Sequence, residues 1–426
     1  MSVGSSRHRA QNPRHTPVRP PRVVLYSHDT MGLGHMRRNL LIAQALAQSE
    51  LRATSLMITG AHETNFFSLP RRVDCLTLPR ICKDQRGNYT SAKLDVSLEA
   101  LTQIRQESIG AALEQFEPDV LIVDKVPVGA EGELLPALKS LAKRGRTRCI
   151  LGLRDILDES SKVKSEWLSK QNIQAIEEFY DSIWIYGDPH IYNAVREYRF
   201  PKSLSKMTRF AGYLDQSSRI AKDFDDIRLE SNGFSPLEGK YVVCTVGGGQ
   251  DGAELVETFI EAVTPDIHAI VLTGPYLPIS VMHDAVRVAA VRKNVQIIGF
   301  TAEADYYIAG ADRVVSMAGY NTVCSILSFG RPALLIPRLV PRREQWIRAQ
   351  RLRNLGVIDV LSPEHLTSKR LANWIRHPLE ASAEVRNFVD LNGLDRIVEW
   401  VGSLLSSNKA ASKVFHQSKR NPTMEN

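Results

Sequence analysis

The chain has 426 residues, 43% of them hydrophobic and 24% charged, which is typical of a globular protein with two or three domains. Its net charge of +7 belongs to the ends of the chain: residues 1–22 carry +5, residues 406–426 carry +3, and the body between them carries −1. We therefore expect no nucleic-acid-binding body, and the absence of an apolar run of about 18 residues argues against a membrane span.

We expect both termini to be disordered tails and the protein to be cytoplasmic. The five cysteines are an odd number without CxxC spacing, which is typical of reduced, mostly buried thiols. The N-terminal tail lacks the apolar segment of roughly 7–15 residues that a secretory signal has, and its prolines would interrupt an amphipathic targeting helix.

Short apolar runs in the first half of the chain predict the strands of a parallel sheet. The first, Arg22–Ser27, leads through a glycine-rich turn into a helix predicted over Met36–Ala47. The other runs are continuous rather than alternating, which indicates strands buried on both faces. They cover Ala53–Thr59, Val120–Val123, Cys149–Leu153, Ser182–Tyr186 and Phe210–Leu214.

The second half repeats this order after a charged, weakly periodic stretch, so the pattern predicts two βαβ domains in series. Its predicted strands are Tyr241–Val246, Ala269–Thr273, Val295–Ile298, Arg313–Ser316 and Ala333–Ile336, and its helices cover Gly252–Val263, the residues from about Asn321, and Leu391–Leu405. The predicted divisions are a basic tail (1–21), a first domain (22–213), a linker (214–239), a second domain (240–376), C-terminal helices (377–405) and a tail (406–426).

The turn after the first strand, Thr30–His35, is a candidate phosphate-binding loop. It fits neither the dinucleotide fingerprint, whose third glycine would fall at Arg37, nor a Walker loop. His35 opens a helix at the carboxyl end of a strand, where a histidine can accept a proton from a substrate hydroxyl. A capping or turn histidine fits the spacing equally well. Arg38 is either an anion contact or a surface charge.

Two turns in the second half are also candidates for phosphate contact. Gly247–Gly249 follows a predicted strand, and three glycines in a row leave backbone N–H groups open to a phosphate. Gly319–Thr322 either aims a helix N-terminus at an anion or uses Asn321 or Thr322 as the N-cap. Seven arginines and one acid lie in residues 331–353, which fits a solvated helix face or an anion contact.

In this order, four segments resemble the GT-B glycosyltransferases of family 28, which include the UDP-N-acetylglucosamine transferase of peptidoglycan lipid synthesis and the galactolipid synthases. The segments are Gly32-x-Gly34-His35-x-x-Arg38, Gly247–Gly249, Gly299–Thr301, and Gly319 through Pro337 with Gln345 beyond. The resemblance is strongest over about Gly299–Gly356. It implies an α/β GT-B fold, in which two doubly wound Rossmann-like domains face each other across a cleft.

The resemblance also implies roles for residues of this chain. His35 would be the catalytic base or a diphosphate contact, and the glycine turns would hold the donor diphosphate. The backbone at Phe300 and Thr301 would receive the nucleotide base, and Gln345 would contact the sugar. No metal and no cofactor are expected. The implied donor-binding residues are Gly32, Gly34, Gly247, Gly248, Gly249, Phe300, Thr301, Gly319, Asn321, Thr322, Ser325 and Gln345.

Ser325 departs from the family pattern, in which an acidic residue at this position usually binds the donor ribose. A hydroxyl can also bind a ribose, but a charge-assisted hydrogen bond is roughly twice as strong. The basic residue common before the Gly319 turn is replaced by Met317 and Ala318. Donor affinity or nucleotide identity is therefore expected to differ from that of the family.

These features predict a metal-independent transfer of a hexose or N-acetylhexosamine from a nucleotide-diphosphate sugar, taken to be a UDP-sugar, to an acceptor hydroxyl. Asp124, Arg154 and Asp155 follow first-domain strands and either line the acceptor side or cap loops. A nucleotide-sugar hydrolase and a non-catalytic nucleotide-sugar-binding protein are the alternatives.

The expected partners are the nucleotide-sugar donor and a hydroxyl acceptor, with lipid-linked acceptors among the candidates and nucleic acid excluded. The basic tails and the arginine-rich stretch predict peripheral contact with anionic membranes, since each basic residue near such a surface contributes about 1 kcal/mol.

Overall fold

The computed structural model describes residues 19–29, 32–83, 89–218, 220, 240–378 and 384–418. Most of the two predicted tails and of the predicted linker lies outside these residues. Among the described residues near the ends, Arg19 forms an ion pair with Asp119 at 2.8 Å, and the last helix continues to Ser418, beyond its predicted end at Leu405.

The first domain is built on a parallel sheet of seven strands among the described residues, in the order β3-β2-β1-β6-β7-β8-β9. The predicted strands are present, except that Phe210–Leu214 is replaced by a strand that ends at Phe210. The edge strand of this sheet, β3, and a separate antiparallel pair of strands were not predicted. The bounds are β1 (Arg22–Ser27), β2 (Thr54–Thr59), β3 (Val73–Thr77), the pair β4 (Ile81–Lys83) and β5 (Tyr89–Ser91), β6 (Val120–Asp124), β7 (Arg148–Arg154), β8 (Ser182–Tyr186) and β9 (Thr208–Phe210).

Helices connect these strands. The longest are amphipathic segments that cover the sheet, and short 3₁₀ turns lie at His62–Phe66 and Ala130–Gly132. The helices are α1 (Gly34–Gln48), α2 (Leu98–Phe116), α3 (Leu135–Arg144), α4 (Ser160–Lys162) with a π-helical turn at Val163–Trp167, α5 (Lys170–Phe179), α6 (Ala194–Glu197) and α7 (Lys202–Met207).

The second domain is built on a parallel sheet of six strands among the described residues, in the order β12-β11-β10-β13-β14-β15. Its strands are β10 (Tyr241–Thr245), β11 (His268–Leu272), β12 (Val295–Ile298), β13 (Arg313–Ser316), β14 (Ala333–Leu335) and β15 (Asp359–Val360). Its helices are α8 (Ala253–Ala262), α9 (Ile279–Val291), α10 (Ala304–Gly310), α11 (Tyr320–Phe329), α12 (Glu344–Asn354) and α13 (Ser368–Arg376), with a 3₁₀ turn at Pro363–His365.

Both sheets are doubly wound, and this topology determines where a ligand can bind. The strand order reverses between β1 and β6 in the first sheet and between β10 and β13 in the second. In open α/β sheets, ligands bind outside the carboxyl ends of the strands at such reversals. The His35 loop follows β1, and the two glycine turns of the second domain follow β10 and β13, so all three lie at these points.

The last helix, α14 (Gly393–Ser418), returns to the first domain. It packs on α1, its Trp400 ring lies 5.3 Å from that of Trp184, and Ile397 and Val401 are fully buried. Just before it, the Tyr213 amide donates to the Asp390 carbonyl at 2.8 Å. The first domain is therefore completed by residues that follow the second.

Candidate active site

Two adjoining cavities, of about 530 and 260 Å³, lie between the two domains. All thirteen residues that the sequence singled out line one or both of them. These are Gly32, Gly34, His35, Gly247, Gly248, Gly249, Phe300, Thr301, Gly319, Asn321, Thr322, Ser325 and Gln345. Their roles stay predictions, but the fold brings them from separate segments of the chain to one cleft.

Two helix N-termini meet in this cleft. Helix α1 begins at Gly34 and α11 at Tyr320, with Leu33 and Gly319 as their N-caps, and neither N-cap residue makes a capping hydrogen bond with its own side chain. The expectation that Asn321 or Thr322 is the N-cap is therefore wrong. The Asn321 amide instead donates across the cleft to the Gly34 carbonyl at 2.9 Å. Free N–H groups at a helix start favour an anion.

The Gly247–Gly249 turn is more constrained than its sequence indicates. The Gly249 amide donates to the Val246 carbonyl at 3.1 Å, so this N–H group is not open to a phosphate as expected. Gly249 has φ +92°, and a Cβ there would lie 2.2 Å from the Thr273 carbonyl oxygen, so only glycine fits. Gly247 and Gly248 line both cavities and are the members of the turn that can approach a phosphate.

His35 is held by a buried carboxylate. Its Nδ1 lies 3.1 Å from Oδ2 of Asp124, which also accepts a hydrogen bond from Arg38. The Arg38 guanidinium is buried and lies over the ring of Tyr320, 5.3 Å from its centroid. Nδ1 also lies 3.0 Å from a nitrogen of the Arg38 guanidinium, which only donates. The contact with the ionised Asp124 requires a proton on Nδ1, and with that assignment Nε2 is left as an acceptor.

Electrostatics keep Asp124 ionised. Burial raises the pKa of this carboxyl, but the charges of Arg38 and His35 outweigh burial, so the pKa lies well below its usual range. A carboxylate of this kind orients the imidazole and stabilises its protonated form. From the sequence, Asp124 was expected directly after a strand, but its contact with His35 was not predicted.

Asp29 fixes the start of α1. It is buried, accepts hydrogen bonds from the hydroxyls of Ser27 and Thr59, and accepts one from the Met36 amide at 3.2 Å. The first turn of α1, which carries His35, is thereby tied to the end of β1. Sequence analysis missed this residue, although its position directly after β1 was the available signal.

His28 is a second histidine that the sequence analysis missed. Its ring lies 5.4 Å from that of His35, and it lines the larger cavity. Burial and then the nearby His35 lower the pKa of His28 well below its ordinary value. His28 is therefore neutral near pH 7.

Ser325 lies against a carboxylate on a neighbouring helix. Its hydroxyl donates to Oδ1 of Asp305 at 2.5 Å, and Arg37 of the first domain donates to Oδ2 at 2.9 Å. Ser325, Asp305 and Arg37 all line the smaller cavity. Asp305 on α10 thus places a carboxylate directly beside position 325.

Phe300 and Gln345 each make a contact that sequence analysis did not predict. The Phe300 ring packs against Phe66 and Phe67 of the first domain, with centroids 5.3 and 5.9 Å apart. The Gln345 side chain accepts from the Arg338 amide at 3.2 Å, which holds it at the start of α12. Both residues contribute to the walls of the smaller cavity.

The three first-domain residues considered for the acceptor side lie in different environments. Arg154 lines both cavities. Asp155 is buried in a two-pronged ion pair with Arg348 at 2.6 and 2.7 Å and does not line either cavity, while Asp124 is buried beneath His35. Asp155 therefore joins the two domains.

Metal-ligating side chains are not clustered in the part of the chain that the structure describes. These residues contain no group of three or more His, Cys, Asp or Glu side chains placed to hold a metal ion. Within the same ranges, no helix combines the length and the apolar character that crossing a bilayer requires.

Two doubly wound domains that face each other across a cleft define the GT-B fold. The fold matches the crystal structure of MurG from Acinetobacter baumannii with a TM-score of 0.54 and 13% identity, over 90% of this chain and 100% of that one. It matches the UDP-GlcNAc 2-epimerase from Neisseria meningitidis with a TM-score of 0.57 and 14% identity, over 91% and 99%. Likeness at these identities shows the fold alone.

Residues 242–387, which include almost all of the second domain, match the glycosyltransferase family 28 C-terminal domain. An uncharacterized glycosyltransferase of Methanosarcina acetivorans is 25% identical over 269 residues, which cover 59% of this chain and 63% of that protein. The UDP-N-acetylglucosamine–N-acetylmuramyl-(pentapeptide) pyrophosphoryl-undecaprenol N-acetylglucosamine transferase of Caldicellulosiruptor saccharolyticus is 26% identical over 177 residues, 38% of this chain and 48% of that protein. The match thus spans less than two thirds of either relative.

Proposed function

We propose that this protein is a glycosyltransferase that moves a hexose or N-acetylhexosamine from a UDP-sugar to an acceptor hydroxyl without a metal ion. One observation carries the proposal: an Asp-oriented histidine and the N-termini of helices α1 and α11 converge in the cleft between two doubly wound domains. The family 28 match of the second domain supports the same reaction class.

The donor would lie in the smaller cavity. Its diphosphate would be placed at the first turn of α11 and at Gly247 and Gly248, where N–H groups stabilise negative charge. The Ser325–Asp305 pair would bind ribose hydroxyls, and the backbone at Phe300 and Thr301 would receive the base. Gln345 would contact the sugar.

The chemistry assigned to His35 is proton removal. The acceptor oxygen forms a bond to the anomeric carbon while the bond from that carbon to the phosphate oxygen breaks. The acceptor proton passes to Nε2 of His35, and Asp124 stabilises the resulting imidazolium. The nucleoside diphosphate leaves with the electron pair, and the N–H groups at the helix N-termini stabilise its charge.

The test is a binding panel of nucleotides followed by product analysis. UDP and UDP-sugars are titrated into the full chain, and those that bind are incubated with a set of hydroxyl acceptors, with and without EDTA. We expect UDP to bind and a glycoside to form at the same rate in both conditions. Loss of activity with EDTA would contradict metal independence, and failure of every nucleotide to bind would contradict the donor site.

The two alternatives give different products in the same experiment. Free sugar released at equal rates with and without acceptors would show a nucleotide-sugar hydrolase. Binding without any turnover would show a nucleotide-sugar-binding protein.

We further propose peripheral contact with anionic membranes through the basic tails, with a lipid-linked acceptor as one candidate. The pyrophosphoryl-undecaprenol in the name of the Caldicellulosiruptor relative supports this choice. Co-sedimentation with anionic vesicles should fall when residues 1–18 and 419–426 are deleted. Unchanged co-sedimentation would contradict the role of the tails.

A further inference from the structure

Several cations that the proposed transfer does not use line the larger cavity, and two of them, Lys125 and Arg154, lie at neighbouring strand ends. Lys125 directly follows β6 and Arg154 ends β7, and these strands are neighbours in the first sheet. Both side chains line the cavity of about 530 Å³. They lie at the carboxyl edge of the sheet, where ligands of doubly wound domains bind.

The backbone at Lys125 is strained in a way that favours a functional side chain. Its φ is +69°, in the left-handed region, where glycine or asparagine is tolerated better than lysine. Its amide donates to the Gly152 carbonyl at 2.8 Å and its carbonyl accepts from the Trp167 indole at 2.9 Å. These two hydrogen bonds stabilise the left-handed backbone conformation. The position thus keeps a lysine where a smaller residue would fit more easily.

Lys125 lies among positive charges and pairs with none of the described carboxylates. Among the described residues, the Lys125 ammonium forms no ion pair with a carboxylate. Burial and then the charges of Arg154 and Arg342 lower the pKa of Lys125 to about 7, and Glu344 and Asp124 oppose this effect only in part. An anion placed beside Lys125 would meet a field that attracts it.

The acids of this cavity are already neutralised by arginines. Asp158 and Glu166 both pair with Arg342, each at 2.9 Å, and Asp251 pairs with Arg338 at 2.5 Å. They are therefore not available to Lys125.

Arg154 retains unused hydrogen-bonding capacity. It donates to the Leu157 carbonyl at 3.0 Å and lies 3.7 Å from Glu344, which is shared with Arg338. Its Nε is buried and has no hydrogen-bond partner within the described part of the chain. An unpaired buried N–H group is uncommon in proteins, and a bound water or ion is one way in which such a group is satisfied.

We propose that Lys125 and Arg154 bind an anionic group of the acceptor, a phosphate or carboxylate near the hydroxyl that receives the sugar. The Arg154 guanidinium can donate two parallel hydrogen bonds to such a group. The Lys125 ammonium, at the end of the adjacent strand, adds a compact positive charge. This inference rests on the proposed function, because it concerns the acceptor of that reaction. The donor diphosphate is also an anion that these two side chains could bind, so the test distinguishes an acceptor anion from the donor diphosphate.

The experiment measures anion binding to the full chain saturated with UDP. Glycerol 3-phosphate and inorganic pyrophosphate are titrated by calorimetry, with glycerol as the neutral counterpart. We expect the anions to bind and glycerol not to. Lys125→Met should weaken anion binding about tenfold, as loss of one charge-assisted hydrogen bond would. Lys125→Arg should stay within about threefold of the wild type, because it keeps the cation.

Lys143→Met on α3 is the matched control, since it removes the same charge from an exposed site and should change nothing. Thermal unfolding of each variant verifies that it is folded. Three outcomes overturn the inference: anions bind no better than glycerol, Lys125→Met leaves their affinity unchanged, or Lys125→Arg fails to restore it.

UDP is titrated into every variant first. If Lys125→Met weakens UDP binding by the same factor as anion binding, the two cations belong to the donor diphosphate and the inference is wrong. If UDP does not bind the wild type, the proposed function fails, and titration of the UDP-free protein still tests the anion site.

Discussion

Asp124 accepts hydrogen bonds from two side chains of α1, His35 and Arg38, through one carboxylate oxygen. This arrangement orients the imidazole while the arginine compensates the buried charge. The histidine was recognisable from its place after a strand and a glycine turn. The carboxylate that orients it was not, because it lies 89 residues away and only the sheet brings the two together.

Replacing His35 by alanine should abolish turnover and leave donor binding nearly unchanged. General base catalysis contributes about 10²- to 10⁴-fold, so we expect the rate to fall by at least about 100-fold. UDP affinity, measured by calorimetry, should stay within about twofold. An unchanged rate would remove His35 from the mechanism.

Lys125 should make stability depend on pH. Its pKa is lowered to about 7 from 10.5, so between these pH values the unfolded chain binds a proton that the folded chain does not. The cost of charging Lys125 in the folded protein is fully present below about pH 7 and diminishes as pH rises. Lys125→Met should therefore raise the melting temperature more at about pH 6.5 than at about pH 9.5.

Thermal denaturation at these two pH values tests this dependence, with Lys143→Met as the exposed control. An equal effect of Lys125→Met at both would contradict the lowered pKa.

At the scale of elements, the continuous apolar runs located the strands well. Ser182–Tyr186 and Arg313–Ser316 match their predicted bounds, because such runs indicate strands buried on both faces. Val295–Ile298 also matches, although it is an edge strand with three half-buried residues. The edge strand Val73–Thr77 was missed because it is largely exposed or half-buried and mixes polar with apolar residues.

Helices α10 and α11 show what sequence spacing could not reveal. Ser325 at the cleft suggested a weakened donor site, but Asp305, twenty residues earlier, lies against its hydroxyl. The two residues approach each other because α10 and α11 pack together. No periodicity in the sequence predicts that contact.

The pair can be tested by exchanging its members. Ser325→Glu alone would place a second carboxylate beside Asp305, and like charges at this distance should weaken UDP binding about tenfold or more. The double variant Ser325→Glu/Asp305→Ser should recover most of the affinity, because it restores one acid and one hydroxyl. Calorimetric titration of UDP into both variants tests this. A double variant as weak as the single one would contradict a joint role.

At the scale of the whole molecule, buried and cleft-side ion pairs hold the two domains together. Arg348 on α12 pairs with Asp155 of the first domain and donates to the Ala318 carbonyl at 2.7 Å, just before the Gly319 turn. Arg37 and Asp305 form a second pair across the cleft at 2.9 Å. The contacts that join the two domains thus also reach the residue that precedes the Gly319 turn.

Arg348→Met should lower the free energy of unfolding by about 3–5 kcal/mol, because it leaves a buried aspartate without its cation. Arg351→Met on the same helix is the control: its pair with Glu197 is 40% exposed on the arginine side and should contribute at most about 1 kcal/mol. Urea denaturation measures both. Equal losses would contradict the structural role of the Asp155 pair.

The return of α14 to the first domain has a consequence for synthesis on the ribosome. Residues 240–378 leave the ribosome before α14, so the surface of α1 and Trp184 that α14 covers is still open when the second domain has emerged. The domain that starts first therefore finishes last, and this surface stays uncovered until the final helix leaves the exit tunnel.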